Sequence, residues 1–194
     1  MEITLQKLNE LGACQSGIKW YGEQKTTDLA ELLTLAIKDG LFKNARWLLS
    51  HLMEKQQGVL WACECAESVI GIYAAQYPDD DRPAKAIAAA RTWISNPTNS
   101  AAYVAAYDAA DAAYEAADAN LDAAYEAAEA ACAAFAYAST YDACASCASY
   151  AADSAYDAYA AAYDADAAAD LRNALIWVGH DILVGNSYKP VTSK

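Results

Sequence analysis

DAADAAYEAADANLDAAYEAAEAA, residues 108–131, carries seven acids and no base. It lies within a stretch, 101–170, built mainly from Ala, Asp, Glu and Tyr and containing neither Gly nor Pro. Ala has the highest helix propensity of all residues, so this stretch is read as helix. At about 100° per residue, Asp108, Asp111, Glu115, Asp118, Asp122, Glu126 and Glu129 project within an arc of about 80°. Tyr107, Tyr114 and Tyr125, with Tyr103, line one edge of that stripe. A solvated helix face usually alternates Glu with Lys, because opposite charges at i,i+4 stabilise it. Six consecutive like-charge neighbours instead cost roughly 1–3 kcal/mol together.

One helix over 101–170 would be about 105 Å long, too long for a small domain. ASTYDA at 138–143 offers a break, so at least two helices are expected, about 100–137 and 140–170. On the second, Asp142, Asp153, Asp157 and Asp164 repeat the acidic arrangement, with Tyr156 and Tyr163 beside them. Working outward, TTDLAELLTLAIKDG (26–40) has a Thr/Asp start and a Gly stop around Leu29, Leu32, Leu33 and Ala36. LFKNARWLLSHLM (41–53) follows with helical spacing. A third helix is predicted over 58–77. A fourth covers 82–95, with Pro83 in its first turn and Asp81 as its cap. The closing stretch, 171–185, is apolar enough to return to the core. No alternating run with hairpin signals occurs. The expected fold is all-α, a multi-helix bundle or array with long Ala-rich acidic helices in its C-terminal half. NPTNS at 96–100 divides a compact part, 1–99, from an Ala/Asp/Tyr-rich part, 100–185. A tail, 186–194, follows, and the whole is read as one continuous domain.

The net charge of −13 is unevenly placed. Residues 1–99 carry 12 acids and 10 bases, 100–170 carry 13 acids and no base, and 171–194 carry one acid and three bases. Direct nucleic-acid binding and anionic membranes are therefore poor expectations for the middle segment, and a basic protein surface is a good one. No run of large apolar residues is long enough to span a membrane. The N-terminus has no apolar core typical of a signal peptide, so a cytoplasmic location and six reduced cysteines are expected.

Other chemistry is thinly supported. Cys144 and Cys147 share a helix face, but His51 and His180 stand in unrelated contexts, so no metal site is expected. DDDRP (79–83) lacks the Gly and Glu of a calcium loop. There is no phosphate-cradling Gly loop and no nucleophile–base motif, so neither an enzyme nor a cofactor is expected. In DDDRP, Arg82 is the one cation among the carboxylates Asp79, Asp80 and Asp81, which suits a structural anchor of the acidic loop or a contact to a partner.

Three pieces together, LNELGACQSGIKW (8–20), WACECAESVI (61–70) and YPDDDRPAKAIAAARTWI (77–94), resemble the immunity proteins of bacterial polymorphic toxin systems and related phage proteins. The resemblance implies a helical, non-catalytic protein with an emphasised arginine at Arg82. Ala84 and Ala88 stand where the pattern has a second Arg and a Glu.

The expected function is that of a cytoplasmic inhibitor, either immunity protein or phage anti-defence protein. Its acidic helices would act as a nucleic-acid mimic on a basic nuclease or other nucleic-acid-binding protein, with Tyr rings as anchors. A plain solubilising face is the bland alternative. A helical module that sequesters a nucleotide-like ligand on Arg82, Lys85 and Arg91 is a second, and a structural phage component a third. A homo-oligomer is compatible with the same features.

Overall fold

The computed structural model describes residues 1–96, 130, 145–163 and 165–191, with backbone alone for 145–148. The fold is all-α, with nine helices and no strand among the described residues. They are α1 (Leu5–Glu10), α2 (Gln15–Gly22), α3 (Leu29–Lys38), α4 (Phe42–Leu52), α5 (Lys55–Glu67), α6 (Ile70–Gln76), α7 (Arg82–Ser95), α8 (Ala145–Ala162) and α9 (Ala165–Val184).

α5 is the axis of the molecule. Val59, Trp61, Ala62, Cys63, Cys65 and Ala66 are all fully buried, so the helix is covered on every side. A helix apolar all round belongs in the centre of a bundle. α7, α8 and α9 pack directly against it, and α4 closes the far side of α8 and α9. Among the described residues no single helix is long and apolar enough to cross a membrane. α3 and α4 form an amphipathic pair, with Leu29, Leu32, Leu33 and Ala36 on the buried face of α3. The Asp28 carboxylate caps α3 by accepting from the backbone N–H of Ala30 and Glu31, as its Thr/Asp start implies. α1 and α2 were not legible from periodicity. They are short, and α2 has no fully buried residue. The chain before α1 clips onto the start of α3, where Ile3 donates to the Thr27 carbonyl and Leu29 donates to that of Met1.

Three sequence expectations need correction. Where one helix is predicted over 58–77, the chain forms two helices bent by 42°. The Ser68 hydroxyl turns back to the Cys65 carbonyl at 2.6 Å, and Val69 leaves helical geometry at φ −127°, ψ −8°. Such a local diversion of the hydrogen-bond ladder is an ordinary cause of a kink. The helix predicted over 140–170 ends at Ala162, and residues 165–170 instead begin α9, which continues to Val184. The apolar face of α9, including Leu171, Leu175, Ile176 and Val178, lies back along α5 and α8, which a single helix running straight on from α8 would not allow. Asp81 does not cap α7 with its side chain. Asp80 accepts the Arg82 N–H at 3.0 Å, while Asp81 pairs with Lys85 one turn on. The bounds predicted for α7, 82–95, are those found.

The predicted helix over 100–137 lies outside the described residues except for Ala130, which is helical and fully buried. The predicted break at 138–143 also lies outside them. In α8 the alanines form a packing face. Ala151, Ala155 and Ala158, at i, i+4 and i+7, are buried along with Ala152 and Ser154. Small side chains there let α8 lie close to α5 and α9, since interaxial distance follows the size of the contact residues.

Candidate functional site

The seven acids Asp108 to Glu129, the tyrosines Tyr107, Tyr114 and Tyr125, and Asp164 lie outside the described residues. Asp153 and Asp157 lie inside them, one turn apart on α8. Asp153 is engaged within the chain, accepting from the Arg46 guanidinium of α4. Arg46 itself is 4 % exposed. A carboxylate meeting a buried arginine in this way satisfies a charge that would otherwise be costly to bury. Partial burial and the neighbouring Asp153 push the Asp157 carboxyl above its ordinary range, with Arg46 and Lys43 acting against them.

These groups line a cleft of about 510 Å³ between the start of α4 and the facing sides of α8 and α9. Lys43, Arg46 and Arg172 supply its positive charge, and Asp153 and Asp157 its negative charge. The Arg172 guanidinium lies 3.3 Å from the centre of the Phe42 ring and 4.8 Å from that of Tyr156, in cation–π contact with both. The Nε atoms of Arg46 and Arg172 are buried and have no hydrogen-bond partner. Sequence reasoning missed this cluster. Arg46 and Asp153 are 107 positions apart, and no motif joins them. The one available hint was that Arg172 ends an 80-residue stretch without a base.

The DDDRP loop is built otherwise. Asp80 accepts from Arg82 Nε at 2.9 Å and Nη2 at 2.6 Å, and from the Tyr73 hydroxyl at 2.6 Å. The guanidinium and the phenol together hold its carboxyl well below the usual carboxylate range. Arg82 therefore clasps the turn before α7. The nucleotide-binding face imagined from Arg82, Lys85 and Arg91 is committed to internal pairs. Lys85 meets Asp81, and Arg91 bonds Glu64 at 2.7 Å and Glu67 at 2.6 Å. Glu64 is nearly fully buried and also accepts from the Tyr188 hydroxyl at 3.0 Å, tying the C-terminal tail to α5. Partial burial and that bond to Glu64 push the Tyr188 phenol up to about 12.

Cys63 and Cys65 are free and buried on α5, and burial pushes the Cys63 thiol up to about 12. They are packing residues by position. Among the described residues no group of His, Cys, Asp or Glu is arranged to hold a metal ion.

No curated protein and no solved structure matches the chain. A family model does, over residues 48–176, which takes in part of α4, all of α5 to α8 and the first half of α9. Two of the three pieces that carried the resemblance, 61–70 and 77–94, fall inside that range. By that match the chain belongs to the family described as Imm-5 like putative immunity protein.

Proposed function

We propose that this protein is a non-enzymatic inhibitor that neutralises a nucleic-acid-acting protein by covering its basic surface, in the manner of an immunity or anti-defence protein. Family membership supplies the immunity role. The observation that carries the choice of partner is the one-sign segment, 13 acids and no base over residues 100–170. A row of carboxylates rimmed by Tyr resembles a phosphate backbone with flanking hydrogen-bonding groups. It would accelerate encounter with a cationic cleft and compete there with DNA or RNA. Asp108, Asp111, Glu115, Asp118, Asp122, Glu126 and Glu129 are the residues assigned to this surface, with Asp157 and Asp164 extending it. Asp153 serves Arg46. The setting is the interior of a bacterial cell, where both the partner and reduced cysteines are at home.

The test is capture from host lysate at low and moderate salt, followed by inhibition of the captured enzyme in a purified assay. A variant with Asp111, Asp118, Asp122 and Glu126 changed to Lys runs in parallel, with its helicity checked by circular dichroism. Expected are a basic nucleic-acid enzyme captured and inhibited by the wild type, and loss of both in the folded variant. Equal capture by the two proteins would refute the acidic surface as the binding site.

A further inference from the structure

We infer that residues 186–191 are a releasable strap, seated where α5 meets α7 over a docking point for a cationic side chain of a partner protein, and that strap and cation compete for the Glu64 carboxylate. The inference takes from the proposed function only the basic character of the partner. It uses none of the acids of residues 100–170, so either reading can fail alone.

The strap is lightly held. α9 ends before Gly185, whose φ of +77° turns the chain, and the Asn186 N–H then donates to the Asp181 carbonyl at 2.9 Å. From Ser187 to Val191 the only hydrogen bond to a described residue is that of the Tyr188 hydroxyl to Glu64 Oε1, at 3.0 Å. Tyr188 and Val191 turn inward against the core, while Ser187, Lys189 and Pro190 are exposed. Pro190 has no N–H with which to join a ladder. A segment with few buried contacts and no backbone ladder opens at a small fraction of the cost of the core.

What lies beneath is built more firmly, and its charge selects the occupant. Glu64 and Glu67 stand one turn apart on α5 and share Arg91 of α7, which donates to Glu64 at 2.7 Å and to Glu67 at 2.6 Å. Two carboxylates against one guanidinium leave the cluster with one negative charge in excess. The Glu64 side chain is 4 % exposed, yet Arg91 and Tyr188 both donate to its Oε1, and its Oε2 accepts from no described residue. A buried carboxylate is stabilised by donors on both oxygens and by a balancing charge. The neutral Tyr188 phenol supplies one donor and no charge, whereas a lysine or arginine supplies several donors and the missing charge. Arg91 and Glu67 are each more than one-third exposed, so the cluster opens to solvent and a side chain from outside reaches Glu64 once Tyr188 leaves. Glu64, Glu67 and Arg91 fall within the stretch matched by the family model, 48–176, and the strap lies beyond it.

The strap is read in the full chain at the Val191 methyl groups, whose proton–carbon signals move toward those of a free peptide of residues 185–191 as the strap leaves the core. Tyr188→Phe keeps the ring and drops the hydroxyl, and should raise the ratio of released to seated strap roughly tenfold. In the wild type, N-acetylarginine amide should move the Val191 signals saturably along the same line. N-acetylglutamine amide and sodium chloride at equal ionic strength should not, and Glu64→Gln should abolish the arginine response. The proposal is overturned if Tyr188→Phe leaves the strap seated as in the wild type, if the arginine compound acts no better than its two controls, or if folded Glu64→Gln responds as the wild type does. Should Glu64→Gln fail to fold, the wild-type titration against its controls decides. No reading here involves the acids of residues 100–170, so a negative result leaves the capture experiment standing.

Discussion

At the scale of single residues, Gly179 on α9 packs directly against the Trp61 indole of α5. A Cβ on Gly179 would lie 2.8 Å from Trp61 Cε2 and 2.9 Å from its Nε1. The indole cannot retreat, because it is fully buried and its N–H donates to the Leu175 carbonyl at 2.9 Å. Gly179→Ala should therefore lower stability by about 1–3 kcal/mol despite alanine's better helix propensity, measured as a shift in the urea midpoint. Asp80 is a second such point. Its depressed pKa means that the carboxylate stabilises the fold fully above the unfolded-state value, near pH 4. That contribution fades as pH falls below it. Asp80→Asn should cost about 1–3 kcal/mol at pH 7, and the gap from wild type should shrink as denaturation is repeated toward pH 3. A gap that stays constant with pH would assign the effect to shape rather than charge.

At the scale of elements, the question is why α8 is so rich in alanine. Helix propensity alone would treat all its alanines alike, whereas packing treats them by face. Ala155 is fully buried and Ala160 is exposed. Ala155→Leu should force α8 off its neighbours at a cost of about 1–3 kcal/mol, while Ala160→Leu should stay within about 0.5 kcal/mol of wild type. Equal effects on thermal stability would show that propensity, not packing, set the composition. Gln57 links two helices in another way. Its carbonyl oxygen accepts from the Glu54 N–H at the start of α5, and its amide donates to the Ile182 and Leu183 carbonyls at the end of α9. Orphan groups at both helix ends are thereby satisfied. Gln57→Ala should cost about 0.5–2 kcal/mol by the scale of capping residues, with amide exchange accelerated in the last turn of α9.

At the scale of the whole molecule, charge segregation opposes folding even as it equips the surface for a partner. Like charges crowded into residues 100–170 repel one another, and salt screens that repulsion. The melting temperature should rise from low salt to about half-molar sodium chloride, beyond one Debye length of screening for most pairs. In the four-lysine variant the rise should be smaller. Salt should act in the opposite direction on partner capture, because the same screening weakens attraction to a basic surface. Salt-insensitive melting in the wild type would mean that the acids are too well separated or solvated to repel measurably.

Local chemistry was enough to read much of this protein from its sequence. Helix propensity without Gly or Pro predicted the all-α class. The Asp28 cap placed the start of α3, and Pro83 with the DDDR turn placed α7 to its terminal residues. Those signals act over three or four positions, so they survive without knowledge of the rest of the chain. Family kinship was legible for the same reason, through contiguous pieces. What only the tertiary structure decided was whatever depends on two distant segments meeting. The bend after Glu67, the assignment of residues 165–170 to α9 rather than α8, and the burial of the alanine face of α8 all follow from how helices lie against α5. The cleft is the extreme case. Arg46, Asp153 and Arg172 come from three helices, and a stripe read on one helix cannot tell which of its acids faces solvent and which meets a buried arginine 107 positions away. Side-chain periodicity fixes direction around a helix axis, but only packing fixes what stands in that direction.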